Sequence, residues 1–261
     1  MIKALFFDID GTLVSFKTHT IPTSAVDAIK TAKNKGVEIY ISTGRPYALI
    51  NNIEGIKPII DGYITTNGAY CFTEHHVISC SPIPDQDVRK VLSESDEKHF
   101  ACIVVGEKDV IMYNPTQEAN HLFRDMLDIK NYRTDIPIEK VLKQPILQLT
   151  PFITEQQEKE LLPLIPGIES SRWYPAFVDF TAKGISKATG LKEIASFRGF
   201  DISETMAFGD GGNDLTIVEA AGIGVAMGNA NEILKEHADY ITTSVDDNGI
   251  ANALRHYNVI K

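Results

Sequence analysis

Residues 4–13 read Ala4-Leu5-Phe6-Phe7-Asp8-Ile9-Asp10-Gly11-Thr12-Leu13, and the fold turns on how this stretch is understood. Its first four residues are apolar with no polar alternation, the pattern of a strand buried on both faces of a parallel sheet. The run then breaks into two carboxylates and a glycine, where the strand must give way to a loop. Open α/β sheets bind their ligands beyond the carboxyl ends of the strands, so this loop is a candidate site. Asp8 and Asp10 repel each other unless a cation or a shared proton relieves them. Magnesium, a hard cation held by carboxylates and phosphate oxygens, suits that need. The alternative is an acidic turn closing a strand, with Gly11 supplying a positive φ.

Working outward, the 261 residues are long enough for one full core and a second, smaller one. The formal net charge of -10 argues against nucleic-acid and anionic-membrane surfaces, which need basic stripes. No stretch approaches the roughly 18 to 20 apolar residues of a membrane-spanning helix. The chain enters its first strand at once, which leaves no room for a signal peptide. Cys71, Cys80 and Cys102 lack the spacing of a disulfide framework or a zinc site. The expectation is a cytoplasmic protein, a monomer or weak homo-oligomer, with a small-molecule partner and no membrane.

Ser24 is predicted to cap a helix with Asp27 as its reciprocal partner. Ala25, Ala28, Ile29 and Ala32 follow at helical spacing, and Gly36 stops the helix. Val37–Ile41 is the next buried strand, and it ends in Ser42-Thr43-Gly44-Arg45-Pro46. A right-handed strand–helix–strand unit places the two strand ends side by side, so Thr43 lands beside Asp8. Its hydroxyl and nearby N–H groups suit a phosphate oxygen, although Thr43 could equally cap a helix starting near Pro46. Residues 62–66 read as a third strand, and Asn67-Gly68 as a hairpin turn. From Pro82 the texture changes to hairpins mixed with helices, including one near Glu118–Leu127. This marks an α+β unit inserted into an α/β domain. The expected division is a core of residues 1–81 and 184–261 with an inserted cap of residues 82–183. The parent pattern resumes with a helix opened by Gly184-Ile185-Ser186-Lys187, Ser186 being its cap. A buried strand at Met206–Phe208 then runs into Gly209-Asp210-Gly211-Gly212-Asn213-Asp214. Three further helices and two short strands complete a doubly wound parallel sheet.

Four strand-end or helix-start motifs therefore converge: residues 8–12, residues 42–45, Lys187, and residues 209–214. Their order and spacing, with an α+β insertion between the second and third, resemble the haloacid dehalogenase superfamily. Within it the chain is similar to the Cof-type phosphatases with a type-II cap, and to bacterial hexose-phosphate phosphatases. The resemblance implies a Rossmann-like core and a magnesium-dependent phosphatase working through an aspartyl-phosphate. It implies Asp8 as nucleophile, Asp10 as general acid and base, and Asp8, Asp10 and Asp210 as the magnesium site. Gly11, Thr43, Gly44, Lys187 and Asn213 would join Asp8 in holding the phosphate, with Asp214 orienting them. Beyond the phosphate, Arg45, Asn67, Trp173 and Asp179 are candidates to face the substrate.

Each residue has a plainer reading. Lys187 could be a solvated first-turn lysine, and Asp210 and Asp214 helix-dipole carboxylates. Arg45 and Asn67 could serve a surface ion pair or a turn, Trp173 the cap core, and Asp179 the polar face of its strand. Two other functions compete: a phosphomutase, and a phospho-receiver using Asp8 as a switch. Receivers are single domains of about 120 residues without a cap, and they lack the carboxylate at Asp10. Flavin mononucleotide, pyridoxal phosphate and nucleotides are the alternative substrates to sugar phosphates.

Overall fold

A computed structural model of the chain describes residues 1–126 and 132–261, and within them the side chains of all but residues 125, 126 and 173. The predicted helix near Glu118–Leu127 runs as Gln117–His121 and continues as a wider π-type turn over Leu122–Met126; Leu127 lies outside the described residues. Contacts divide the chain into two units. The first is Met1–Gly44, Ile50–Ser79 and Ser186–Lys261; the second is Arg45–Leu49 and Cys80–Ile185.

In the first unit, β1 is Ala4–Phe7, β2 Glu38–Ser42, β3 Gly62–Thr65, β4 Tyr70–Thr73 and β5 Val77–Cys80, whose last residue groups with the second unit. The second unit carries β6 (Cys102–Gly106), β7 (Val110–Tyr113), β8 (Ile146–Pro151), β9 (Ile168–Tyr174) and β10 (Phe177–Ala182). The chain then returns to the first unit with β11 (Thr205–Gly209), β12 (Ile223–Ala226) and β13 (Tyr240–Ile241). The first sheet has the order β13-β12-β11-β1-β2-β3-β4-β5. Every pairing from β13 to β3 is parallel, and β4 turns back antiparallel on β3. The chain steps from β1 outward to β2 and β3, but returns on the other side of β1 as β11. The sheet therefore reverses direction beside β1, the place where such folds bind ligands.

The uninterrupted apolar run of β1 now has its physical reason. Leu5 and Phe7 pack on one face with Ile39, Phe208 and the helices Thr23–Asn34 and Gly249–His256. Ala4 and Phe6 pack on the other with Tyr40, Ile64 and the helix Lys187–Arg198. Both faces are covered, so no position of the strand tolerates a polar side chain. One expectation fails locally. Pro22, at φ -57, precedes the first helix, which starts at Thr23 with no side-chain cap. Ser24 thus falls inside the first turn, and its Oγ is covered without a hydrogen-bond partner. Proline presets the helical φ, so the helix starts before the serine can cap it. Near Pro46, likewise, only a single 3-10 turn forms, Tyr47–Leu49.

The second unit is a five-stranded antiparallel sheet, order β7-β6-β8-β10-β9. The helices Asp85–Lys98 and Glu155–Leu161 contribute Val88, Val91, Leu92 and Leu161 to its core, against Val104, Leu149 and Phe180. Among the described residues, no helix is long and apolar enough to cross a membrane.

Candidate active site

The parallel strands of the first unit end at one edge, and three of them, β1, β2 and β11, hand their next residues to the site. β1 delivers Asp8, whose backbone N–H donates to the Phe208 carbonyl at 3.1 Å, holding the loop against the end of β11. β11 delivers Asp210 to Asp214. β2 delivers Thr43, buried, with its N–H donating to Ile64 on β3 at 2.9 Å. The helix Lys187–Arg198 supplies the fourth part. Ser186 caps it, accepting from the Thr189 N–H, which places Lys187 in the first turn pointing inward.

Lys187 is not the solvated lysine of the plainer reading. It is wholly buried, and its ammonium donates to Asp8 Oδ1 at 2.6 Å and to Asp214 Oδ1 at 2.5 Å. The other oxygen of Asp214 accepts from the backbone N–H groups of Asp210 and Gly211, at 3.0 and 2.9 Å. Both Asp214 oxygens are thereby engaged, so this carboxylate fixes the lysine and shapes its own loop. Asp210 is held by Thr12, whose hydroxyl donates to Oδ1 at 2.7 Å. Carboxylate oxygens of Asp8, Asp210 and Asp214 lie within 4.8 Å of one another. Gly11, at φ +84, is required here: a Cβ would collide with the Asp210 carboxylate.

The electrostatics follow from burial. Burial raises the Asp8 carboxyl well above the ordinary carboxylate range; Lys187 opposes this, and Asp214, Asp210 and Asp10 add to it. Burial likewise raises Asp210 to about 7, against the hydrogen bond from Thr12. For Lys187 burial alone would lower the pKa, but Asp214 and Asp8 outweigh it and hold the ammonium form. One buried ammonium thus faces a group of carboxylates that resist ionising together. Asp8 and Asp210 each keep an oxygen outside the bonds just described, in a donor set made only of oxygen. A hard divalent cation fits such a set.

A second arm adjoins this cluster. Asn213 Nδ2 donates to Asn67 Oδ1 at 3.1 Å, and a Cβ on Gly44 would lie within 3.4 Å of both amides. Asp8, Gly11, Thr43, Gly44, Asn67, Lys187, Asp210, Asn213 and Asp214 are thus all parts of one edge of the first unit. Asp10 follows Asp8 in the same loop and forms a bridge with Val14. Arg45 groups with the second unit, its Nη1 donating to the Leu49 carbonyl at 3.2 Å. Asp179 is in the second unit too, buried on β10 and accepting from the Thr150 hydroxyl at 2.7 Å. The side chain of Trp173 lies outside the described residues. Two participants escaped sequence reading. In the sequence Thr12 marks only the end of the loop. Asn229 donates to the Gly11 carbonyl at 2.8 Å and accepts from the Val245 N–H at 2.9 Å, bracing the loop. The available signal for Asn229 was its place just beyond the end of β12, on the same sheet edge.

The chain matches the haloacid dehalogenase-like hydrolase family over residues 5–254. Among solved structures, the subclass IIB sugar phosphatase BT4131 superposes with a TM-score of 0.90 at 47% identity, covering 99% of this chain and 100% of that one. BT1666 from Bacteroides thetaiotaomicron, among the phosphatases of the same superfamily, gives 0.89 at 38% identity, covering 100% and 96%. A relative by sequence is the 5-amino-6-(5-phospho-D-ribitylamino)uracil phosphatase YcsE of Bacillus subtilis (strain 168), 28% identical over 98% of this chain and 96% of its own length.

Proposed function

The chain belongs to the haloacid dehalogenase-like hydrolases and is a phosphatase, and from that premise we propose that it hydrolyses small phosphorylated metabolites, hexose phosphates among the best, with magnesium. The observation that carries the reading is Asp8 at the end of β1, gripped through one oxygen by the buried Lys187, with Asp210 beside it. A carboxylate so placed can attack phosphorus in line. The bond from Asp8 oxygen to phosphorus forms, the ester P–O bond breaks, and the leaving alkoxide takes a proton from Asp10. Asp10 then draws a proton from the water that attacks the aspartyl-phosphate, releasing inorganic phosphate and restoring Asp8. Thr43, Gly44, Asn213 and the loop at Gly11 offer hydrogen-bond donors to phosphate oxygens, and Lys187 offers a fixed positive charge. Asp214 keeps that charge in place. Asp8, Asp210 and the backbone carbonyl of Asp10 would hold magnesium, which when bound offsets the repulsion between nucleophile and phosphate dianion.

The substrate class draws support from the sugar phosphatase at 47% identity. In this proposal the second unit is the specificity cap, and Arg45, Trp173 and Asp179 of that unit, with Asn67 of the first, are the candidate readers of the leaving group. A cytoplasmic setting accords with three cysteines that are all free. The test is a magnesium-dependent phosphate-release screen over hexose, pentose and triose phosphates, nucleotides, flavin mononucleotide and pyridoxal phosphate. Hexose phosphates are expected at the top with broad selectivity. A strong preference for nucleotides or flavin mononucleotide, with sugars near background, overturns the substrate class. No release from any of them overturns the activity.

A further inference from the structure

The turn joining β3 to β4 carries two unfavourable features at one buried residue. Thr66, Asn67 and Gly68 have φ of +49, +53 and +102, three left-handed residues in succession. Glycine adopts that region freely and asparagine tolerates it, but a β-branched side chain does not. Thr66 is also buried with its hydroxyl lacking any hydrogen-bond partner. Such a residue persists only where its surroundings fix it, and strain of this kind gathers at functional sites.

The surroundings are the parts of the phosphate site. The Asn67 N–H donates to the Thr43 carbonyl at 3.1 Å, tying the turn to the β2 loop. The Asn67 side chain accepts from Asn213 at 3.1 Å, tying it to the β11 loop. A Cβ on Gly68 would collide with the Ser186 carbonyl, so the turn lies directly on the start of the helix that carries Lys187. One three-residue turn therefore meets three separate loops, and each bears a group assigned above to phosphate. With this backbone shape the Asn67 amide lies against Asn213 while its N–H reaches Thr43.

We propose that the Thr66–Gly68 turn, through the Asn67 side chain, positions Asn213 for phosphate, and that Asn67 does not read the leaving group. The proposal rests on the phosphatase reading, and it gives Asn67 a different task from the one considered under that reading. Phosphate is common to all substrates, so loosening its cradle must affect every substrate alike. Inorganic phosphate, which has no leaving group, must feel it as well.

Asn67→Gly tests this, because glycine keeps the left-handed turn and removes only the amide. Three readouts are needed: kcat/KM on a hexose phosphate and on p-nitrophenyl phosphate, the rise in Tm produced by inorganic phosphate, and the Tm without it. The expected result is a fall in kcat/KM of roughly tenfold, the same for both substrates, the size of one lost hydrogen bond. The phosphate-induced rise in Tm should shrink while the Tm without phosphate holds. In an Asn213→Ala background, Asn67→Gly should cost nothing more, since its partner is already gone. A changed ranking of the two substrates with phosphate binding intact overturns the proposal, because Asn67 then reads the leaving group. A lower Tm with phosphate binding intact overturns it as well, since the role is then merely structural. Additive losses in the double variant also overturn it, because Asn67 then touches phosphate independently. Asn67→Ser carries the same readouts if the glycine variant does not fold. Failure of the phosphatase reading is distinguishable: the wild type then releases phosphate from neither substrate, whatever the Tm readouts show.

Discussion

At the scale of single residues, the site rests on a buried ammonium between two carboxylates. Breaking such a group from one side is far more costly than never forming it, because the partners stay buried without their counter-charge. Lys187→Met should therefore lower stability by about 3–5 kcal/mol as well as abolish turnover. Urea denaturation checks this; a variant as stable as the wild type would show that Asp8 and Asp214 do not depend on the lysine. The raised carboxyls make a second claim, about pH. Burial raises Asp8 and brings Asp210 to about 7, above the ordinary aspartate value of about 3.9. Between those values the unfolded chain has released protons that the folded one keeps, so the metal-free protein loses stability as pH rises through the window. Magnesium binds the ionised form, so its stabilising effect must grow over the same range. Calorimetry should find a larger magnesium-induced rise in Tm at about pH 8 than at about pH 5. An equal rise at both values would remove these carboxylates from the metal site.

At the scale of elements, the chemistry sits where strands stop. β1, β2 and β11 end at one edge because parallel connection leaves their carboxyl ends together, and each end is followed by polar or glycine residues. That is why this much was legible in the sequence: a buried strand and the loop after it are local patterns, and Asp8, Thr43 and Asp210 each lie within two residues of one. What was not legible depends on partners far along the chain. Thr12 holds Asp210 across 198 positions, and Asn229 braces Gly11 across 218. Neither pairing has a local signature. Ser24 shows the opposite failure, a good local signal overruled by Pro22 two residues earlier. The strain at Thr66 was hidden because a threonine before Asn67-Gly68 looks like the end of a strand. Gly11 gives the element-scale test. Gly11→Ala must place a Cβ into the Asp210 carboxylate and hold alanine at φ +84, a conformation costing roughly 1–2 kcal/mol. Weakened magnesium binding, read by titration of the Tm rise, is expected along with lost activity. Unchanged magnesium affinity would mean that Asp210 is not a ligand.

At the scale of the whole molecule, a chain of net charge -10 handles a phosphate dianion. Long-range electrostatics oppose that encounter, so attraction has to be local and fixed. The buried Lys187 and the magnesium proposed beside it meet that need at one edge of one sheet. The two units have separate cores, one on an eight-stranded and one on a five-stranded sheet. On the proposed reading, chemistry common to all substrates is kept in the first while specificity varies in the second. In the proposed mechanism phosphate passes covalently through Asp8 with Asp10 moving the protons. Rapid quench of the full chain with substrate and magnesium, followed by peptide mass spectrometry, tests it directly. Phosphate should be found on Asp8 in Asp10→Asn, where loss of proton transfer slows turnover by about 10² to 10⁴ and lets the phosphoenzyme persist. It should be absent from Asp8→Asn. Phosphate on Asp10, or on no residue while turnover continues, would contradict the account.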